Sequence, residues 1–145
     1  MTWIGLDPGR SKCGVVRSDH SRGQVDVAAV LSPEECFAQM AIWRERPGIE
    51  GVVLGDGTGS KYWQRQLSDL GLAVHVIPEA GTTLAARTRY WQLEPPRGWR
   101  RLLPEGLRLP PRDYDDVVAQ LLLERHWGTE LKRVPGLVVL RQLVA

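Results

Sequence analysis

The sequence predicts a mixed α/β fold, a sheet of antiparallel and parallel strands with helices packed against it. Three observations predict it: three β-rich runs separated by turns near the N-terminus, strand–helix alternation thereafter, and a 145-residue chain that is 43% hydrophobic. That length suits one globular unit with a real core, and it excludes kinases and chaperone ATPases built on two large lobes.

Thr2 to Asp7 is a short apolar run, Pro8-Gly9-Arg10-Ser11 a turn, and Cys13 to Ser18 a second β-rich run, which together read as a hairpin. After Ser21-Arg22-Gly23, Gln24 to Leu31 alternates around Val25, Val27 and Ala29, completing a three-stranded meander. Ser32 before Pro33-Glu34-Glu35 supplies an N-cap, a first-turn proline and acids at the positive end of a helix reaching about Arg46. Gly51 to Gly55 reads as a buried strand, Ser60 to Leu70 as a helix closed by Gly71, and Ala73 to Ile77 as another strand. Thr82 or Thr83 caps a helix to about Gln92, and Tyr114 to Trp127 forms the last helix. Between them, Glu94 to Arg112 holds five prolines and no apolar period, the pattern of a long, mobile loop. The tail after Gly128 shows no clear period. The whole chain is expected to be one domain.

The formal charge of +2 is unevenly spread: seven arginines between Arg87 and Arg112, against Glu94 and Glu105, give that segment +5 and leave −3 for the rest. No apolar run approaches the roughly 18 residues of a membrane span, and Asp7 stands where a secretory leader would be apolar, so a cytoplasmic protein is expected. Cys13 and Cys36 have neither the spacing nor the number of a disulfide scaffold and are read as reduced thiols. His20, His75 and His126 are scattered and argue against a structural zinc site.

Three acids stand out. Asp7 ends an apolar strand, where aspartate has poor propensity: it either caps the Pro8-Gly9 turn or meets a compensating charge. Glu79 follows a strand and precedes a helix, as a solvated loop glutamate or a site residue. Asp113, Asp115 and Asp116 open the final helix, where acids also serve the macrodipole. With Tyr114, Val118, Leu121 and Leu122 as the buried stripe, Asp115 lies about 60° and Asp116 about 160° from Val118, so Asp115 is expected inward and Asp116 toward water. Asp7, Glu79 and Asp115 could then converge at one sheet edge, where oxygen ligands suit Mg²⁺ or Mn²⁺. Phosphodiester hydrolysis by two such ions about 3.5–4 Å apart is the chemistry such a triad serves, with Asp7 as the shared ligand.

The local sequence around these acids adds a resemblance. Ile4-Gly5-Leu6-Asp7-Pro8-Gly9-Arg10-Ser11-Lys12-Cys13-Gly14-Val15 resembles the opening of the YqgF (RuvX) family, Holliday-junction-resolvase-like nucleases of the ribonuclease H-like superfamily. Val52 to Gly55 resembles the family's next buried strand, Glu79 with Thr82-Thr83 its glutamate and paired threonines, and Asp115 to Ala119 with Leu121 to Glu124 its closing aspartate helix. The resemblance implies a ribonuclease H-like fold with a mixed five-stranded sheet. It also implies a metal-dependent nuclease with Asp7, Glu79 and Asp115 as catalytic metal ligands, and a role in maturing small-subunit ribosomal RNA precursor. Pro78 and Ala80, the glycine-rich Gly55 to Ser60, and the long Pro-Arg loop depart from the family's pattern.

For substrate, Arg10 and Lys12 beside Asp7 are candidates to contact a backbone phosphate, or are solvated hairpin charges. Gly55 to Ser60 could hold a phosphate or be a flexible turn; it is not a P-loop. In the basic loop, Trp99 between Arg97 and Arg100-Arg101 combines cations with a stacking ring, or pins the loop to the body. The expected partner is RNA, single-stranded DNA or branched DNA, with the protein a monomer or homodimer. The rivals are a junction resolvase, which needs a symmetric dimer, a non-catalytic nucleic-acid-binding module and a small nucleotide-binding protein.

Overall fold

The computed structural model describes residues 1–19, 21 and 23–143. His20, Arg22 and the last two residues of the chain lie outside the described residues.

The meander forms as β1 (Thr2–Asp7), β2 (Cys13–Asp19) and β3 (Gln24–Leu31), with antiparallel pairing that sets Asp7 opposite Gly14. Helix α1 (Pro33–Glu45) follows, then β4 (Gly51–Gly55), α2 (Ser60–Asp69), β5 (Val74–Ile77), α3 (Thr82–Leu93) and α4 (Asp115–Trp127). A two-residue strand, β6 (Lys132–Arg133), runs parallel to β3. The sheet order is β5-β4-β1-β2-β3-β6, with β4 parallel to both β1 and β5. The sheet thus has six strands rather than five, the sixth coming from the tail, where two residues are too few to show a period.

Alternation along the strands sorts two cores. Ile4, Leu6, Val15, Leu31, Val52 and Leu54 face α1 and α2, meeting Met40, Trp43, Trp63 and Leu67. Val16, Val25, Ala28 and Val53 face the other way and pack on Ala119, Leu122 and Leu123 of α4. Helix α3 lies against the outer side of α4 through Ala86, Tyr90, Trp91 and Val117. Burying an aliphatic side chain this completely is worth about 1.5–3 kcal/mol, which makes these faces the main source of stability. Of the tryptophans besides Trp99, Trp43, Trp63 and Trp91 are buried and Trp3 and Trp127 half-buried, as their core role requires.

The helix ends are chemically specified. Ser32 and Glu35 form a reciprocal capping box on α1, with Glu35 N–H donating to Ser32 Oγ at 3.2 Å and Ser32 N–H to Glu35 Oε1 at 3.3 Å. Helix α3 is instead preceded by Gly81 at φ 75°, a left-handed residue, and not by a capping threonine; Thr82 Oγ1 donates back to the Glu79 carbonyl at 2.7 Å.

The proline-arginine segment, expected as a long loop, holds local structure and hydrogen bonds to α3. It carries 3₁₀ turns at Gly98–Leu102 and Glu105–Leu107. Arg87 donates to the carbonyls of Gly106 and Arg108, and Arg108 to that of Arg100. These bonds need only loop carbonyls, so no apolar period announces them. No helix among the described residues is long and apolar enough to cross a membrane.

Candidate active site

Ile4 and Leu6 point to the α1/α2 face, so period 2 sends Gly5 and Asp7 to the α4 face. There α4 approaches unusually closely. A β-carbon on Gly14 would overlap the carbonyl of Asp115, and one on Gly5 would overlap that of Ala119. Two glycines on adjacent strands therefore let the first turns of α4 lie directly on the backbone of β1 and β2, which brings Asp115 beside Asp7.

Glu79 lies just past β5 and reaches back over the end of β4. Its carboxylate occupies the space that β-carbons at Gly55 and Gly57 would need. Asp56 between them accepts from the Glu79 N–H at 3.0 Å and fixes the backbone there. The glycine-rich turn thus cradles a carboxylate.

Asp7, Glu79 and Asp115 line one open cleft of about 510 Å³ with Arg10, Lys12 and Arg112. Burial, followed by the negative charges of Asp115 and Glu79, pushes the Asp7 carboxyl up to about 7. Burial, followed by the charge of Asp113, also raises Asp115. Among the described residues no side-chain donor reaches the carboxylate of Asp7, Glu79 or Asp115. The three share the cleft without closing on one point: among the described residues no three His, Cys, Asp or Glu side chains form a group that could hold a metal ion. Their chemistry nonetheless fits a hard divalent cation, since the donors are all carboxylate oxygen and none of the three is in an ion pair among the described residues.

The neighbouring acids have other work. Asp113 is partly exposed and paired with Lys12 at 2.8 Å and Arg141 at 3.3 Å, which hold its carboxyl below the usual range. Asp116 does not face water: it is fully buried, bonded to Arg112 at 2.7 Å and to Arg133 at 2.9 Å. The expectation assumed a single buried stripe, whereas α4 is covered by the sheet, by α3 and by the tail. Its third face, Asp116, Gln120 and Glu124, forms a polar seam under that tail. Arg133 donates to Gln120 at 2.8 Å, Arg89 pairs with Glu124 at 2.8 Å, and the Leu131 N–H donates to Glu124.

The seam also removes arginines from the basic surface. Arg89 and Arg112 serve Glu124, Asp116 and Glu94, while Arg87 and Arg108 hold the loop. Arg97 and Arg101 remain exposed, as does Trp99, with Arg100 stacked on the Trp99 ring at 4.9 Å. Lys12 leans on Asp113, and Arg10 is exposed at the cleft mouth.

Two sequence-distant pairs meet in space. Cys13 and Cys36 are free, buried thiols of one core cluster. His75 and His126, scattered in sequence, stack with ring centres 5.0 Å apart beside Trp3.

No family model matches the chain, and no curated protein matches it in sequence. Its fold is similar to that of T. thermophilus RuvC in complex with a Holliday junction substrate, at 17% identity and a TM-score of 0.50, covering 90% of this chain and 98% of that one. A second Thermus thermophilus RuvC structure is similar at 15% identity and a TM-score of 0.49, covering 90% and 99%. The architecture is the ribonuclease H-like fold of RuvC.

Proposed function

We propose that this ribonuclease H-like chain hydrolyses phosphodiester bonds of nucleic acid with Mg²⁺ or Mn²⁺ held by Asp7, Glu79 and Asp115. The observation that carries the reading is Asp7, a carboxylate at a central strand's end that shares a cleft with Glu79 and Asp115, that burial and these two acids hold at a pKa of about 7, and to which no cationic side chain is bonded among the described residues. Such a group is costly unless something positive enters the cleft.

When bound, a pair of ions supplies a water ionised near neutral pH and positive charge at the leaving oxygen. Asp7, Glu79 and Asp115 would hold such ions, Asp7 standing at the end of the central strand β1. Arg10 and Lys12 hold the substrate backbone at the cleft mouth, and the Asp113 pair steers Lys12. Arg97, Arg100 and Arg101 track phosphates farther along, and Trp99 offers its exposed face to a base. No protein nucleophile is needed.

The substrate the sequence resemblance implies is the precursor of small-subunit ribosomal RNA, met in the cytoplasm. The second reading, a four-way DNA junction, is favoured by the similarity in fold to RuvC in complex with a Holliday junction substrate. Junction resolution needs two sites on a symmetric dimer, whereas cutting single strands does not. Labelled single-stranded RNA, single-stranded DNA and a four-way junction, each incubated with Mn²⁺, Mg²⁺ or chelator, separate the two. Metal-dependent cutting of RNA by a monomer supports the first reading, and paired cuts in the junction by a dimer support the second. Binding without cutting under every metal condition contradicts both and leaves a binding module.

A further inference from the structure

Beside the acidic cleft, α3 and the basic loop enclose a second cavity of about 280 Å³. Tyr90, Trp91, Pro95, Arg97, Arg100 and Pro111 line it. Its chemistry is unlike that of the cleft. Tyr90 and Trp91, both buried with little surface left open, and two prolines make up its apolar lining. Its one acid, Glu94, is engaged by Arg112, so the charge left to a ligand comes from the two loop guanidiniums. Arg97 is exposed and has no ion-pair partner among the described residues. The Trp91 indole N–H, closed off from solvent, is the single buried side-chain polar atom among the described residues without a hydrogen-bond partner.

The cavity and the cleft adjoin through Tyr90, which meets two residues of the cleft. Arg112 lines the cleft and lies over the Tyr90 ring at 5.2 Å, and Tyr114, also of the cleft, is 5.9 Å from Tyr90. An apolar lining with cations at the rim suits a ligand that is a π-face joined to an anion. We propose that this cavity receives one unstacked nucleobase of the bound strand, with the phosphate of that nucleotide on Arg97 and Arg100, adjacent to the phosphodiester lying over Asp7. The inference rests on the nucleic-acid reading above and deepens it. A base can enter only after leaving its stack, so the cavity selects strands that are single or unpaired at that position.

An abasic scan tests it on the intact protein. A fluorescent single-stranded oligonucleotide is titrated in chelator, with one abasic nucleotide moved stepwise along it. One position is expected to weaken binding about five- to hundredfold, the size of one base–aromatic stack, while its neighbours change little. 2-Aminopurine at that position is expected to lose fluorescence on binding. Pro95→Phe, which fills the cavity from an exposed position, is expected to erase the position effect. Arg97→Ala with Arg100→Ala is expected to lower the slope of log affinity against log salt by about two contacts' worth. Binding that is indifferent to where the abasic nucleotide lies, or a position effect that survives Pro95→Phe, overturns the base cavity alone. Failure of the intact oligonucleotide to bind at all overturns the nucleic-acid reading with it.

Discussion

Gly14 carries the carbonyl oxygen of Asp115 against its α-carbon, in space that any β-carbon would occupy. The contact is backbone on backbone, so a side chain cannot turn away to relieve it. Gly14→Ala is therefore expected to lift the start of α4 from β2, lowering stability by at least about 1–3 kcal/mol, as overpacking does, and cutting activity at the same time. Urea unfolding and a cleavage assay on the same sample check both.

Gly57 gives the contrasting case, because the nearest atoms to a β-carbon there belong to the Glu79 carboxylate, the far end of a flexible side chain. Gly57→Ala is expected to leave the melting temperature nearly unchanged while reducing cleavage at least tenfold, since Glu79 is turned aside. A variant that keeps full activity would mean that Glu79 works from another position or not at all.

Asp116 and its two arginines predict a structural effect. Asp116→Asn keeps the shape but leaves Arg112 and Arg133 facing a neutral group in a fully buried place. Breaking one partner of a buried ion pair costs about 3–5 kcal/mol, and urea unfolding is expected to read a loss of that order. Asp115, half-buried and in no ion pair among the described residues, gives the contrast: Asp115→Asn is expected to lose activity instead.

The Asp7 carboxyl makes stability depend on pH. Its pKa is about 7 in the fold against an ordinary 3.8, so between those values the native chain holds a proton that the unfolded chain has released. Stability contributed by this group is lost as pH rises through that window, and the penalty is complete above about pH 7. In chelator, Asp7→Asn is therefore expected to melt several degrees above wild type at pH 8, with the gap closing toward pH 4. Calorimetry across that range checks the sign.

Much of the fold was legible because it rests on local chemistry. The meander follows from alternation and Gly-containing turns, and α1 from Ser32, Pro33 and Glu35. Asp7, Glu79 and Asp115 could be placed on one edge because strand ends and a helix start are read from the same signals. Asp116 was misplaced because a helical wheel supposes one covered face, and the tail that covers the third face has no period of its own. The closeness of Gly14 to Asp115 and of Gly57 to Glu79 is tertiary; glycine inside a strand or between two turns hints at it without naming the partner. The loop arginines looked alike in sequence, and only bond partners separate Arg89 and Arg112, which build the interior, from Arg97 and Arg101, which face solvent.

The central claim is that the uncompensated acids take up metal and use it. Its most direct measurement is the cleavage rate of labelled single-stranded RNA, single-stranded DNA and a four-way junction in Mn²⁺ by wild type and Asp7→Asn, with Mn²⁺-induced thermal shifts of both proteins recorded alongside. Wild type is expected to cut at least one substrate and to gain stability from Mn²⁺, about 2.7 kcal/mol at a hundredfold excess over Kd, whereas Asp7→Asn is expected to fold, lose cutting at least a hundredfold and gain little. An Asp7→Asn protein that folds and cuts as fast as wild type would contradict that claim.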